Sequence, residues 1–418
     1  MRLSQKRFLK IFLVLNLSLF LVVTGLIAQV SSVEYGKNRL QFKKLKWQYY
    51  QSKNFNAYFN QDGQELAKYV AQIAEKDLSE IEAFVEYSLQ RRANIVIYNS
   101  FIDLQQSNIG IGIDWQNTGG VTKLVNNKMI VYFNGDHNDL RRQVREGIAR
   151  ILTQNLLFGD DLGEFASNQT LLDLPQWLTD GYVSYAASNW NTTLDDDLKS
   201  EILSGKYKNF YQFAFDKPLL AGHAFWYYIE EKYKRENVTY LLYLARVYKN
   251  LNRACMQVAK KKFKNLLAEF MEYQDTKYQE DVTRRKNYPK GSEIASEIVS
   301  KTKDYFRFNV NPNKRDGSFA VVEYKRGQYR VLLNTEDKYK TLIKIGAKSN
   351  LNDIDPTMPL MAWDPKGTRL AVAYGYEGKI KLNIYDVVTN IKPLQRDLTE
   401  HFQLIQDIKY MVDTKTLL

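Results

Sequence analysis

The sequence predicts an α+β domain followed by an all-β segment, and three observations lead there. Between residues 55 and 133, short apolar runs of strand character alternate with one long stretch of helical period. From His137 to about Tyr278 the helical period continues alone. Beyond Pro289 the chain turns to short β-rich runs punctuated by Asn, Asp, Pro and Gly, and one turn-plus-strand unit recurs.

Each element follows from its spacing. Phe55, Ala57 and Phe59 alternate with Asn56 and Tyr58, the period of a half-buried strand. From Gln64 the apolar residues Leu66, Tyr69, Val70, Ile73, Leu78, Ile81, Phe84 and Val85 recur at three and four, which is an amphipathic helix. The compact runs Asn94–Tyr98 and Met129–Phe133 read as buried strands. His137 to Phe158 carries a helical stripe at Leu140, Val144, Ile148, Ile151, Leu152 and Leu156. Pro175 to Ala187 is a second helix, its proline placed where a missing N–H costs little. Asp195-Asp196-Asp197 starts a polar helix, and Gly222–Asn250 and Arg253–Tyr278 complete the helical series.

The tail carries an imperfect repeat. Asn311-Pro312-Asn313-Lys314-Arg315-Asp316-Gly317 before Ser318–Val321 is echoed by Asp364-Pro365-Lys366-Gly367 before Thr368–Val372. A second strand follows each, Tyr329–Leu333 and Ile380–Asp386, and a third copy starts at Ile408. Turn-and-strand units of about fifty residues are the sequence signature of propeller blades. The tail therefore reads as the start of a β-propeller, incomplete at two blades and part of a third. Either the sequence belongs to a longer protein or another chain covers the open edge.

Composition narrows the class. Hydrophobic residues make up 44% and charged residues 25%, ordinary globular usage. The formal charge of +12 is compatible with an anionic partner, but much of it is dispersed and reads as a solvated basic surface, and no nucleic-acid module is recognisable. The single cysteine, Cys255, excludes an intrachain disulfide and reads as a small buried hydrophobe within a helix. At the N-terminus Arg2, Lys6, Arg7 and Lys10 precede an apolar run from Ile11 to Ala28, the order of an export signal, with an uncleaved anchor as the alternative. The expected organisation is residues 1–28 signal, 29–288 α+β domain and 289–418 partial propeller.

The most informative segment is Arg145-Glu146-Gly147-Ile148-Ala149, followed by Pro175-Gln176-Trp177-Leu178-Thr179-Asp180-Gly181. Zinc peptidases of the gluzincin kind place H-E-x-x-H on one helix, so that two imidazoles one turn apart share the metal and the glutamate serves as base. A carboxylate on a second helix is their third ligand. The helix layout here matches that frame, so the domain is expected to be zincin-like. The ligands do not match. Arg145 is a permanent cation with no lone pair, and Ala149 has no donor atom. Asp180 is one methylene short, and Glu146 alone is intact. The expectation is a vestigial site with no catalytic residue, no metal and no cofactor. In it the Arg145 guanidinium takes the vacated metal position and pairs with Asp180 or Glu146, unless it points to solvent.

Together Gly36–Arg39, Trp47–Tyr50, Asn117–Thr122, Arg145–Ala149, Pro175–Tyr185, Ala221–Phe225 and the repeated tail resemble bacterial TolB-like proteins of the Tol biopolymer transport type. They also look like proteins with a peptidase-MA-like domain ahead of propeller repeats. What the resemblance implies is an exported, non-catalytic binding or scaffold protein of the periplasm or outer envelope, working through envelope proteins. A membrane surface is a further candidate partner, and nucleic acid is not. The alternative function is a hydrolase, either a zinc peptidase with a rebuilt site or a glycosidase. Gly110-Ile111-Gly112 lacks the last glycine of a dinucleotide loop, where Trp115 stands. His223 has no G-x-S-x-G serine to serve and reads as a satisfied histidine at a helix start.

Overall fold

The computed structural model describes residues 44–106, 127–159, 174–284, 303–313, 317–325, 328–335, 338–346, 358–389, 394–402, 404–413 and 415–418. The N-terminal segment, Gly36–Arg39 and Gly110–Thr122 lie outside them. Among the described residues no helix is long and apolar enough to cross a membrane.

The first part is a mixed sheet under a helical layer. Strands β1 (Gln48–Gln51) and β2 (Phe55–Phe59) are antiparallel. Helix α1 (Gln64–Val85) then crosses to β3 (Ala93–Tyr98), which lies parallel to β2. After the short α2 (Phe101–Gln105) comes β4 (Lys128–Tyr132), parallel to β3. Strand alternation sends Phe55, Ala57, Phe59, Ile95, Ile97, Met129 and Val131 into the main core with α1. The reverse face sends Val96, Ile130 and Tyr132 against Phe101 and Leu104 of α2.

Helix α3 (His137–Phe158) starts on Asp136, whose carboxylate accepts from the Asn138 N–H. Such a cap satisfies one of the donors that every helix start leaves open. Next come α4 (Gln176–Ala187), α5 (Thr192–Leu203), α6 (Phe210–Asp216) and α7 (Pro218–Tyr233). They are followed by α8 (Glu236–Tyr248), α9 (Leu251–Ala259) and α10 (Phe263–Arg284). Two expected helices are each two. The stretch Gly222–Asn250 breaks at Lys234, where φ is +74°, and Arg253–Tyr278 breaks at Lys260, where φ is +56°. Both breaks fall on lysines at positive φ, a region that side chains rarely adopt. Cys255 is fully buried in α9, as a hydrophobe would be.

The β-rich part holds two four-stranded antiparallel meanders. One runs β5 (Asp304–Val310), β6 (Phe319–Lys325), β7 (Gln328–Thr335), β8 (Lys338–Ile345); the other runs β9 (Leu360–Trp363), β10 (Arg369–Tyr376), β11 (Lys379–Asp386), β12 (Leu394–Asp397). Both are open sheets. They pack face to face through Val322, Val331 and Ile343 against Trp363, Leu370 and Val372.

The repeat seen in sequence is a repeat in geometry. Asn311 N–H bonds Ser318 O, and Asp364 N–H bonds Arg369 O, each closing the turn before its sheet's second strand. The two turns touch, since the Asn311 amide donates to Gly367 O at 3.0 Å. Asp364 accepts from Thr368 N and Oγ1 and from Arg369 N. Asp413 closes a tighter turn, accepting from Lys415 N and from Thr416 N and Oγ1. The third copy is a short hairpin here, bridged at Tyr410 and Leu417. Its Ile408, Tyr410 and Leu417 cover the second face of the β9–β12 sheet, joined there by Ile102 of α2.

Candidate functional site

The site residues singled out in sequence lie on helices α3, α4 and α7. The α4–α7 contact is unusually close because two glycines meet. A Cβ on Gly181 would fall 2.2 Å from the Gly222 carbonyl carbon, and one on Gly222 would fall 2.1 Å from Trp177 O. Around that crossing the Trp226 indole donates to Leu178 O at 2.7 Å. Tyr182 OH meets Thr239 Oγ1 at 2.7 Å, and Tyr185 OH donates to Glu230 at 2.6 Å. The aromatic positions of the Pro175–Tyr185 segment thus lock α4 in place.

The residues singled out in sequence do not converge: Arg145 and Ala149 share one side of α3, Glu146 stands on another, and Asp180 is on α4. Ala149 is fully buried in the core. Arg145 faces α1 and the end of α4: its Nε donates to Ala187 O at 2.6 Å, and its two terminal nitrogens grip Glu80 at 3.0 and 2.9 Å. Asp77 lies 3.6 Å from the same guanidinium. Glu146 points outward and is held by Arg142 at 2.7 Å, one turn earlier on α3. Asp180 is held by Arg150 at 2.6 Å.

The expected pairing of Arg145 with Asp180 or Glu146 is therefore corrected, and so is the solvent-facing alternative. On a helix, residues 145 and 146 are about 100° apart, so the cation that reaches α1 is turned away from the glutamate beside it. Arg142 and Arg150 neutralise the two carboxylates instead. Sequence reasoning missed them, and it missed Asp77 and Glu80. A signal was present: Asp77 and Glu80 are three apart on α1, Arg141 and Arg145 four apart on α3, and complementary spacings of this kind suit packed helices. Arg141 completes the set with a two-pronged grip on Asp77 at 2.6 and 2.7 Å.

The electrostatics follow from this ladder. Burial alone would raise the Asp77 carboxyl, but the Arg141 hydrogen bonds and charge, with Arg145 behind them, hold it below the ordinary range. Glu80 is lowered chiefly by its hydrogen bonds to Arg145.

His223 lies inside α7, fully buried, not at a helix start. Its Nδ1 is 2.9 Å from Ser184 Oγ on α4. Its Nε2 is buried with no hydrogen-bond partner, so the expectation of a satisfied histidine holds for one nitrogen only. Burial lowers its pKa to about 4. The pair has the atoms of a serine–base dyad but not the setting. Ser184 is buried between two helices, and no acid orients the far nitrogen of the ring.

Among the described residues, no three of His, Cys, Asp and Glu converge to hold a metal ion. Neither protein-family models nor curated proteins give a match to the chain.

Proposed function

We propose that the protein is an exported, non-catalytic binding or scaffold protein of the bacterial envelope, with a degenerate gluzincin-like domain ahead of propeller-type repeats of the TolB-like kind. The observation that carries the reading is the fate of the two imidazole positions. Arg145 is committed to Ala187 O and Glu80, and Ala149 is sealed in the core. A catalytic zinc needs three protein ligands and an open position, and those two residues supply no ligand. The parallel strands leading into α3, and α4 packed behind it, support a zincin-like frame. Two stacked four-stranded meanders with matching turns support blades whose exposed edges serve protein contacts. The basic, apolar N-terminal sequence supports export.

The test compares the wild-type protein with Glu146→Gln on a mixture of unstructured peptides, with zinc added. The reading expects no turnover by either. Turnover abolished by Glu146→Gln would establish the hydrolase alternative.

A further inference from the structure

We infer that the α8–α9 hairpin is a docking face for an anionic lipid surface. Helix α8 buries Val238, Leu241, Leu242 and Ala245 on one side. On the other it exposes Tyr240, Tyr243 and Val247, at 43%, 45% and 53% of their full surface. These lie at i, i+3 and i+7, one continuous stripe, and the two tyrosine rings stack with centroids 6.5 Å apart. Tyr248 and Met256 add further exposed apolar surface on the same hairpin.

Charge is concentrated around this stripe. From Lys232 to Lys264 the sequence has ten lysines and arginines against one acidic residue, Glu236, in a chain whose whole excess is +12. The fold gathers them at both ends of α8. Lys232 at the end of α7 and Lys261 in the α9–α10 turn share Glu269, which brings that basic turn back beside the start of α8. Arg253 lies past the far end, at the start of α9. Arg253, Lys260, Lys262 and Lys264 are exposed, and among the described residues no carboxylate lies within ion-pair reach of them.

Those cations select an anionic occupant. The stripe is a convex helix surface of tyrosine, valine and methionine, which matches a headgroup–acyl boundary, where amphipathic rings settle with lysine and arginine at the phosphates. The inference is independent of the vestigial site.

The full chain carrying Tyr243→Cys is labelled there with a polarity-sensitive dye. Cys255 is buried and its thiol is pushed up to about 12 by burial, so native labelling goes to position 243. Vesicles of phosphatidylglycerol and phosphatidylcholine are expected to blue-shift the dye; phosphatidylcholine alone is not. The same dye at Gln279→Cys on α10 should stay in water in both. At roughly fivefold per cation removed, Lys260→Gln/Lys262→Gln/Lys264→Gln should weaken the titration on the order of a hundredfold. An unshifted dye at 243, an equal shift at 279, or equal response to both lipids overturns the inference. So does a dye that moves only when another protein is added.

Discussion

Three arginines of α3 are predicted to contribute unequally to stability, in an order that their chemistry does not give and their surroundings do. In Arg145→Ala the main loss is the charge-assisted bond to the Ala187 carbonyl, a class worth about 1.5–3 kcal/mol. The lost Glu80 pair adds under about 1 kcal/mol, because that carboxylate is largely exposed. The expected cost is about 2 kcal/mol. Arg141→Ala strips both short bonds from Asp77, whose carboxylate is almost fully buried. Breaking a buried pair costs about 3–5 kcal/mol, and the half-exposed guanidinium discounts that to about 2–3 kcal/mol. Arg142→Ala loses only same-helix partners, Asp139 and Glu146, worth about 0.5 kcal/mol each or less. Urea unfolding followed by far-ultraviolet circular dichroism measures all three, with Glu80→Ala as the control that isolates the carbonyl contribution. An Arg145→Ala protein as stable as wild type, or one matched by Glu80→Ala, would refute the assignment of Arg145 to Ala187 O.

Two further predictions concern the α4–α7 contact. Gly222→Ala gains about 1 kcal/mol of helix propensity but forces backbone apart at 2.1 Å, so a net loss of about 2 kcal/mol is expected in the same urea experiment; a stabilised variant would contradict the packing. His223 titrates near 6.5 when unfolded and near 4 when folded, so its contribution is present above 6.5 and is lost as pH falls from 6.5 towards 4. That loss amounts to about 3 kcal/mol, and in His223→Gln the stability–pH curve should flatten across that window. An unchanged slope would show that His223 does not titrate there.

Much of the fold was legible because apolar period is a direct image of burial. The bounds His137–Phe158 for α3 follow from its stripe, and β2 follows from Phe55, Ala57 and Phe59. The turns before β6 and β10 were visible because they need Asn or Asp to accept backbone donors and Gly367 to adopt a positive φ. The breaks at Lys234 and Lys260 were not, since lysine carries no turn signal and yet stands at positive φ in both. Helix α6 was missed too. Its buried Phe210 and Phe213 span under two turns, too short for a period to show. For the site, the residue types at 145, 146, 149 and 180 could be read directly, but which carboxylate each arginine meets could not. Arg145 and Arg150 reach residues 65 and 30 positions away, and only the packing of α1 and α4 on α3 decides which carboxylate each one meets.

The central claim of the proposal is that Arg142 and Arg150 take up Glu146 and Asp180, the carboxylates a metal would need. Elemental analysis of the purified protein after incubation with zinc and mild dialysis tests it most directly. The account predicts zinc near zero per chain, unchanged in Asp180→Asn. One zinc per chain, lost in Asp180→Asn or Glu146→Gln, would contradict it and return the site to hydrolytic chemistry.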